Sequence, residues 1–77
     1  MASTTDCAVA LARLEAWVAE SGDRRAALCR CGDACECSLE RDGWRTVYGS
    51  AATIADAITC ALDYADAVAR EEEATHV

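Results

Sequence analysis

The sequence predicts a single α+β domain of order α-β-β-β-α, in which a three-stranded antiparallel sheet is covered on one face by two helices. Three observations predict it. A chain of 77 residues fits one domain. Apolar residues recur at helical spacing near both ends of the chain. Between these stretches, the turn signals Gly32-Asp33-Ala34 and Asp42-Gly43 divide a middle segment into three short extended runs.

The first helix is predicted over residues 6–20. Serine, threonine and aspartate at positions 3–6 supply capping oxygens, and apolar residues then recur at helical spacing until Gly22 ends the run. The stripe that should face the core comprises Cys7, Leu11, Leu14 and Val18.

The second helix is predicted over residues 53–70. Thr53 and Asp56 have the spacing of a capping box, and an apolar stripe follows along one helix face. The stripe comprises Ile54, Ile58, Ala61, Leu62, Ala65 and Val68. The closing segment 71–77 begins with three glutamates, whose charges are disfavoured at a helix C-terminus, so we expect this acidic tail to be frayed.

Three strands are predicted between the helices, over residues 26–31, 35–41 and 44–48. A two-residue Asp42-Gly43 loop would place Cys37 opposite Tyr48, and a three-residue first loop would place Cys29 opposite Cys37. The face to be covered by the helices would then carry Cys29, Cys31, Cys35, Cys37, Leu39, Trp44 and Tyr48, and the outer face Arg30, Glu36, Glu40 and Arg45. A two-residue first loop would instead put two of these cysteines on each face.

The charge of the chain restricts its partners. There are 14 Asp and Glu residues against 7 arginines and no lysine, which gives a net charge of −7. This charge repels phosphate backbones and anionic lipid, so we expect no direct nucleic-acid partner and no membrane partner. No run approaches the ~18 apolar residues that cross a bilayer, and residues 1–20 lack a positive leader. We therefore expect a cytoplasmic protein with reduced thiols, although six cysteines would suggest disulfides in a secreted one.

The four cysteines of the middle segment could in principle bind a zinc ion. Tetrahedral sulfurs on zinc lie under ~4 Å apart, whereas residues i and i+2 of a strand stand ~6.5 Å apart, so a flat hairpin does not enclose the ion. We therefore predict no cofactor, and all six cysteines, including Cys7 and Cys60, are interpreted first as small core hydrophobes. A four-cysteine zinc site or a thiol-redox module is the alternative function, built on Cys29, Cys31, Cys35 and Cys37.

No catalytic residues are predicted. A cysteine nucleophile needs a positioned base, and the one histidine of the chain, His76, lies in the closing segment. No acidic residue is tied by spacing to a nucleophile, a phosphate loop or a metal motif. We therefore predict a protein that acts by binding and is not an enzyme.

The candidate binding residues are acidic side chains of the second helix and the closing segment. The three aspartates of the helix follow at i, i+7 and i+10, a stripe of ~15 Å that could imitate a run of phosphates. A solvated helix face is the plain alternative. The predicted partner is a protein with a basic surface, bound through Asp56, Asp63, Asp66, Glu71, Glu72 and Glu73.

A homodimer is a further prediction. In the predicted register, Leu28, Ser38 and Val47 form an apolar row across the outer face of the sheet. Such a row could dock a second copy, although scattered apolar residues on a surface need no explanation.

The order α-β-β-β-α resembles a double-stranded-RNA-binding domain. That family carries a lysine cluster on its second helix, whereas residues 54–60 here read Ile-Ala-Asp-Ala-Ile-Thr-Cys, so RNA binding by that mode is rejected. The small size, the acidity and the run Trp-Arg-Thr-Val-Tyr-Gly at 44–49 before an alanine-rich helix resemble small phage and mobile-element proteins of the anti-CRISPR type. This resemblance implies an inhibitor or adaptor that occludes a basic nucleic-acid-binding surface of a host defence complex.

Overall fold

The structure, a computed structural model, describes residues 7–75, and of residues 73–75 only the backbone. It contains helix α1 (Cys7–Ala19), strands β1 (Arg24–Cys31), β2 (Ala34–Arg41) and β3 (Val47–Ala51), and helix α2 (Ile54–Thr75). The strands form one antiparallel sheet in the order β1-β2-β3. The predicted α+β class and element order are confirmed. The predicted capping residues 3–6 and residues 76–77 of the predicted tail lie outside the described residues.

Helix α1 presents a stripe to the core that matches the predicted one only in part. Its buried residues are Ala10, Leu14 and Trp17, and Val18 is partly buried, whereas Cys7 is exposed and Leu11 is 39% exposed. The helix is therefore rotated so that its largest side chain, the Trp17 indole, is inside. Burying an indole removes more apolar area from water than burying a cysteine or leucine, which favours this orientation.

Helix α2 begins and packs as predicted but ends later. The Thr53 hydroxyl accepts a hydrogen bond of 3.1 Å from the Asp56 amide, which is the expected N-cap contact. Of the predicted stripe, Ile58, Ala61, Leu62 and Ala65 are buried, and Ile54 and Val68 are partly buried. The helix continues through the glutamates to Thr75, beyond the predicted end at residue 70. Glu72 accepts a hydrogen bond from the Trp44 indole, which ties the last turns to the rest of the domain.

The first hairpin has a two-residue loop, so its predicted three-residue loop is wrong. Cys31 pairs with Ala34, and Gly32 and Asp33 form the turn. Gly32 has φ 61°, and within residues 7–75 no non-glycine residue has a positive φ, which is the pattern of a type II′ turn with glycine first. A three-residue loop would have required the left-handed conformation at Ala34, where the side chain is strained.

The second hairpin turns at the predicted dipeptide but opens more widely. The Trp44 amide donates to the Arg41 carbonyl at 2.9 Å, and only Gly43 of the two central residues has a positive φ, 84°. This pattern fits a type II turn, whereas the predicted tight hairpin needs positive φ at both positions. Type II turns splay the flanking strands, so residues 44–46 leave the ladder and β3 begins at Val47 instead of residue 44.

The wider turn moves the β3 register by one residue and exchanges its faces. Leu39 pairs with Val47, whereas the two-residue loop would have paired it with Thr46. Val47 is therefore buried, and Tyr48, predicted to be in the core, is 55% exposed on the outer face. Trp44 precedes the strand and packs against the core only partly.

The inward position after Val47 is Gly49, which lies against α2. A Cβ at this position would stand less than 3.0 Å from backbone atoms of Ala57 and Ala61. The absent side chain therefore lets the helix backbone come directly onto the sheet, supported by alanines on the facing side of α2.

Candidate functional site

The predicted acidic site lies mainly on the solvent side of α2. This helix carries six carboxylates and a single arginine, Arg70. Five of the six predicted binding residues are exposed, and the side chain of the sixth, Glu73, lies outside the described part of the structure. The exposed five are Asp56, Asp63, Asp66, Glu71 and Glu72. We call the six predicted binding residues, which are these five and Glu73, the acidic helix surface.

The three aspartates are exposed: Asp56 and Asp63 lie opposite the buried stripe of α2, and Asp66 lies on the flank that faces α1. At ~100° per residue, Asp56 and Asp63 project within ~20° of one another, and Asp66 is turned ~60° further. Asp66 lines a shallow groove between the two helices together with Arg13. Asp63 Oδ1 lies 3.6 Å from Arg13 Nη2, and the aspartate side chain is 67% exposed. Such an exposed pair is weak, so the Asp63 carboxylate stays available to a stronger cation.

The two glutamates lie apart from the aspartates, beside a cleft between residues 43–47 and the C-terminal half of α2. This loop–helix cleft has a volume of about 310 Å³. Glu71 and Glu72 line it together with the aromatic rings of Trp44 and Tyr64, and Arg45 lines its other side. The five described residues therefore do not form one stripe: Asp56, Asp63 and Asp66 lie along the helix, and Glu71 and Glu72 line this cleft.

Trp44, which lines the cleft, contacts an aromatic ring, a guanidinium group and a carboxylate. Trp44 Nε1 donates to Glu72 Oε1 at 2.9 Å. The Trp44 and Trp17 ring centroids are 6.5 Å apart, and the Arg41 and Arg24 guanidinium carbons lie 4.8 Å and 4.6 Å from the centroids of Trp44 and Trp17 respectively. The two arginines are opposite one another in the sheet, where like charges repel, and each is stabilised by the face of an indole.

This cleft was not predicted from the sequence. Trp44 was expected in a strand of the buried face, and Tyr64, which is 56% exposed, was not predicted to line a site. One signal was present: Tyr64 lies off the apolar stripe of α2, so an aromatic side chain had to be on the solvent side.

The four cysteines of the hairpin are divided between the two faces of the sheet. Cys35 and Cys37 are buried under the helices, and Cys35 Sγ donates a long hydrogen bond of 3.8 Å to the Ala52 carbonyl. Burial raises the pKa of Cys37. These two are the small core hydrophobes that the sequence predicts.

Cys29 and Cys31 are exposed on the outer face, contrary to the predicted buried face. Their sulfurs are 3.5 Å apart. A hydrogen bond with Cys31 and the nearby charges of Cys31 and Glu36 raise the pKa of Cys29. Because the pairs face opposite ways, the four-cysteine cluster of the alternative prediction is not assembled, and within residues 7–75 no three acidic, cysteine or histidine side chains are grouped to hold a metal ion. Cys7 and Cys60 are also exposed, so their predicted core positions are wrong.

The predicted apolar row on the outer face is not formed. Leu28 pairs with Cys37 and so lies on the helix-facing side, and Val47 is buried. Arg30, predicted to be outside, pairs with Cys35 on the helix-facing side as well, and Arg45 precedes β3 in the loop. The dimer prediction thereby loses the surface on which it was based.

The chain was compared with known proteins at three levels. A scan against models of protein families finds no match for the chain, and neither a search of curated proteins nor one of solved structures finds a match. Within the described residues, no helix is long and apolar enough to cross a membrane. The fold and the site together define a small acidic α+β domain with a carboxylate-rich helix and an aromatic cleft beside it.

Proposed function

We propose that this protein is a non-enzymatic inhibitor or adaptor that binds a basic surface of a protein partner through the acidic helix surface. The observation that carries the proposal is the concentration of six carboxylates on α2, a helix that contains one arginine, Arg70, while Arg13 of α1 forms a weak exposed pair with Asp63. The aspartates among them are exposed, so they can meet a partner without rearrangement of the core.

The remaining charge of the molecule supports an oriented encounter. Strand β1 carries three arginines and no acidic residue, and it forms an edge of the sheet. Arg24 lies 3.5 Å from Glu20 and Arg25 lies 3.5 Å from Glu40, so carboxylates offset much of the positive charge of β1, and the negative charge is concentrated on α2. A field of this kind steers a basic surface toward the helix, and the encounter rate falls as salt is added.

The loop–helix cleft supplies a place for a basic side chain of the partner. Two carboxylates, Glu71 and Glu72, and two aromatic rings line it against one arginine, Arg45, so its lining is net negative. A lysine or arginine is attracted to both groups, and the contact strengthens when the partner excludes water. We assign specificity to this cleft and long-range attraction to the aspartates.

The partner surface that we favour is one that binds nucleic acid. Aspartates along ~15 Å of helix present charges at spacings comparable with those of phosphates and would compete for the same arginines and lysines. This mode is the one implied by the resemblance to anti-CRISPR proteins, and it includes a cytoplasmic location. The homodimer stays a prediction, which a mass measurement in solution tests.

An arginine-rich peptide tests the location of the binding surface. We expect its titration, followed by backbone amide NMR at low and physiological salt, to shift the resonances of α2 and the Trp44 indole first. The triple variant D56K/D63K/D66K should weaken this binding strongly. The matched variant E15K/D33K/E36K changes the net charge equally at positions off α2 and should weaken it little. Equal weakening by both variants, or shifts spread evenly over the acidic residues, would reject the acidic helix surface as the binding site.

A further inference from the structure

Two cysteines on the outer face of the sheet form a candidate chemical site that the binding proposal does not use. Cys29 and Cys31 are both exposed, and their Sγ atoms lie 3.5 Å apart. They are on the edge strand β1 and point away from the helices, and both are exposed in the described part of the chain. We propose that Cys29 and Cys31 are a redox-active dithiol, which a small disulfide such as oxidised glutathione converts reversibly to an intramolecular disulfide.

The backbone geometry allows this bond but makes it strained. A disulfide needs an S–S distance of ~2.05 Å and a Cα–Cα distance of ~4.4–6.8 Å, and residues i and i+2 of a strand stand ~6.6 Å apart. Closure therefore requires the sulfurs to approach by ~1.5 Å and the strand to pucker at Arg30. The pair ends an edge strand, directly before the Gly32 turn, where little packing resists the movement. Strained, exposed disulfides are readily reduced, so the bond would be reversible.

The chemistry is ordinary thiol–disulfide exchange. The thiolate of one cysteine attacks oxidised glutathione, forms a mixed disulfide and releases one glutathione thiolate. The second cysteine loses its proton, attacks the protein sulfur of the mixed disulfide and releases the second glutathione. Two protein thiols and one glutathione disulfide thus give one protein disulfide and two glutathione thiols.

The neighbouring strand contains an internal control. Cys35 and Cys37 have the same spacing on β2, but they face the helices and are buried. A small disulfide cannot reach them in the folded protein, so the two pairs separate the effect of spacing from that of exposure.

The experiment uses the full chain with C7S and C60S, which removes the two other exposed thiols. The reduced protein is equilibrated in glutathione buffers of increasing oxidation, the free thiols are alkylated, and peptides are mapped by mass. We expect the β1 peptide to lose two hydrogens and Cys35 and Cys37 to remain thiols. A further C29S change should instead leave glutathione attached at Cys31. Persistent mixed disulfides on the unmodified pair, or free thiols in the most oxidising buffer, would overturn the proposal.

A trivalent arsenical tests the juxtaposition independently of oxidation. Phenylarsine oxide binds two neighbouring thiols with release of water, and the chelate survives excess monothiol. We expect one chelate on Cys29 and Cys31, and none when either is serine. Absence of the chelate, or a chelate on a protein whose disulfide never closes, would overturn the redox role. Neither result bears on the proposed binding through the acidic helix surface, because that surface contains neither cysteine.

Discussion

At the residue scale, a hydrogen bond connects the C-terminal part of α2 to the loop before β3. Trp44 Nε1 donates to Glu72 Oε1 over 2.9 Å, the indole packs at a tilt of 43° against Trp17, and the Arg41 guanidinium lies over its ring. Hydrogen bonds that a carboxylate accepts are stronger than hydrogen bonds between neutral groups. Solvent exposure weakens the contact, so its main effect is to define the shape of the cleft.

We predict that Trp44 and Glu72 are energetically coupled. In a double-mutant cycle, W44F keeps an aromatic ring but removes the donor, and E72A removes the acceptor. The coupling in the free energy of unfolding should be about 0.5–1.5 kcal/mol, measured by urea denaturation of the four proteins. The control cycle combines W44F with D66N. Asp66 lines the groove between the two helices, and the Trp44 indole donates its hydrogen bond to Glu72. A coupling indistinguishable from that control would show that the bond does not order the cleft.

At the scale of elements, the helices were more predictable than the hairpins. The stripe of α2 from Ile58 to Ala65 follows from local periodicity, and the Thr53 cap follows from residue type. Strand faces depend on turn length, and one residue reverses them. Gly32 before Asp33 was a recognisable two-residue signal, and it would have placed Cys29 and Cys31 on the opposite face of the sheet from Cys35 and Cys37.

Other features of the elements had no local signal. The Asp42-Gly43 pair predicts a turn, but its type depends on which central residue takes the positive φ, and the structure assigns it to Gly43 only. The later end of α2 depends on a contact with Trp44, 28 positions away in sequence. The site therefore could be predicted as acidic residues on a helix, whereas the cleft beside them could not.

The close contact between β3 and α2 gives a prediction at this scale. G49A places a methyl group against backbone atoms of Ala57 and Ala61, which cannot move aside as a side chain can. We expect a loss of about 1–3 kcal/mol or more in the free energy of unfolding, measured by urea denaturation. G22A is the matched control, because a Cβ there meets nothing within 4 Å and Gly22 has no positive φ. Its effect should be small or stabilising, and equal losses in both variants would contradict the packing account.

At the scale of the whole molecule, charge and fold are arranged to leave two different surfaces exposed. The acidic helix surface follows α2 from its outer face to the loop–helix cleft, and the two exposed cysteines of β1 lie on the outer face of the sheet. Composition predicted the net negative charge, whereas the pairing of Arg25 with Glu40 across the sheet depends on the strand register. The small core, mostly alanine, leucine and cysteine, holds this arrangement without any buried charged side chain among the described residues.

Binding through the acidic helix surface can be tested by comparing the proteins that the immobilised chain retains from a cell extract with those retained by two charge variants. We expect specific proteins with basic surfaces to bind the unmodified chain and E15K/D33K/E36K, and we expect D56K/D63K/D66K to lose them. Thermal melts of all three should show that each is folded, and purified partners should bind more weakly as salt rises. Retention of the same partners by D56K/D63K/D66K, with unchanged affinity, would contradict the acidic helix surface as the functional site.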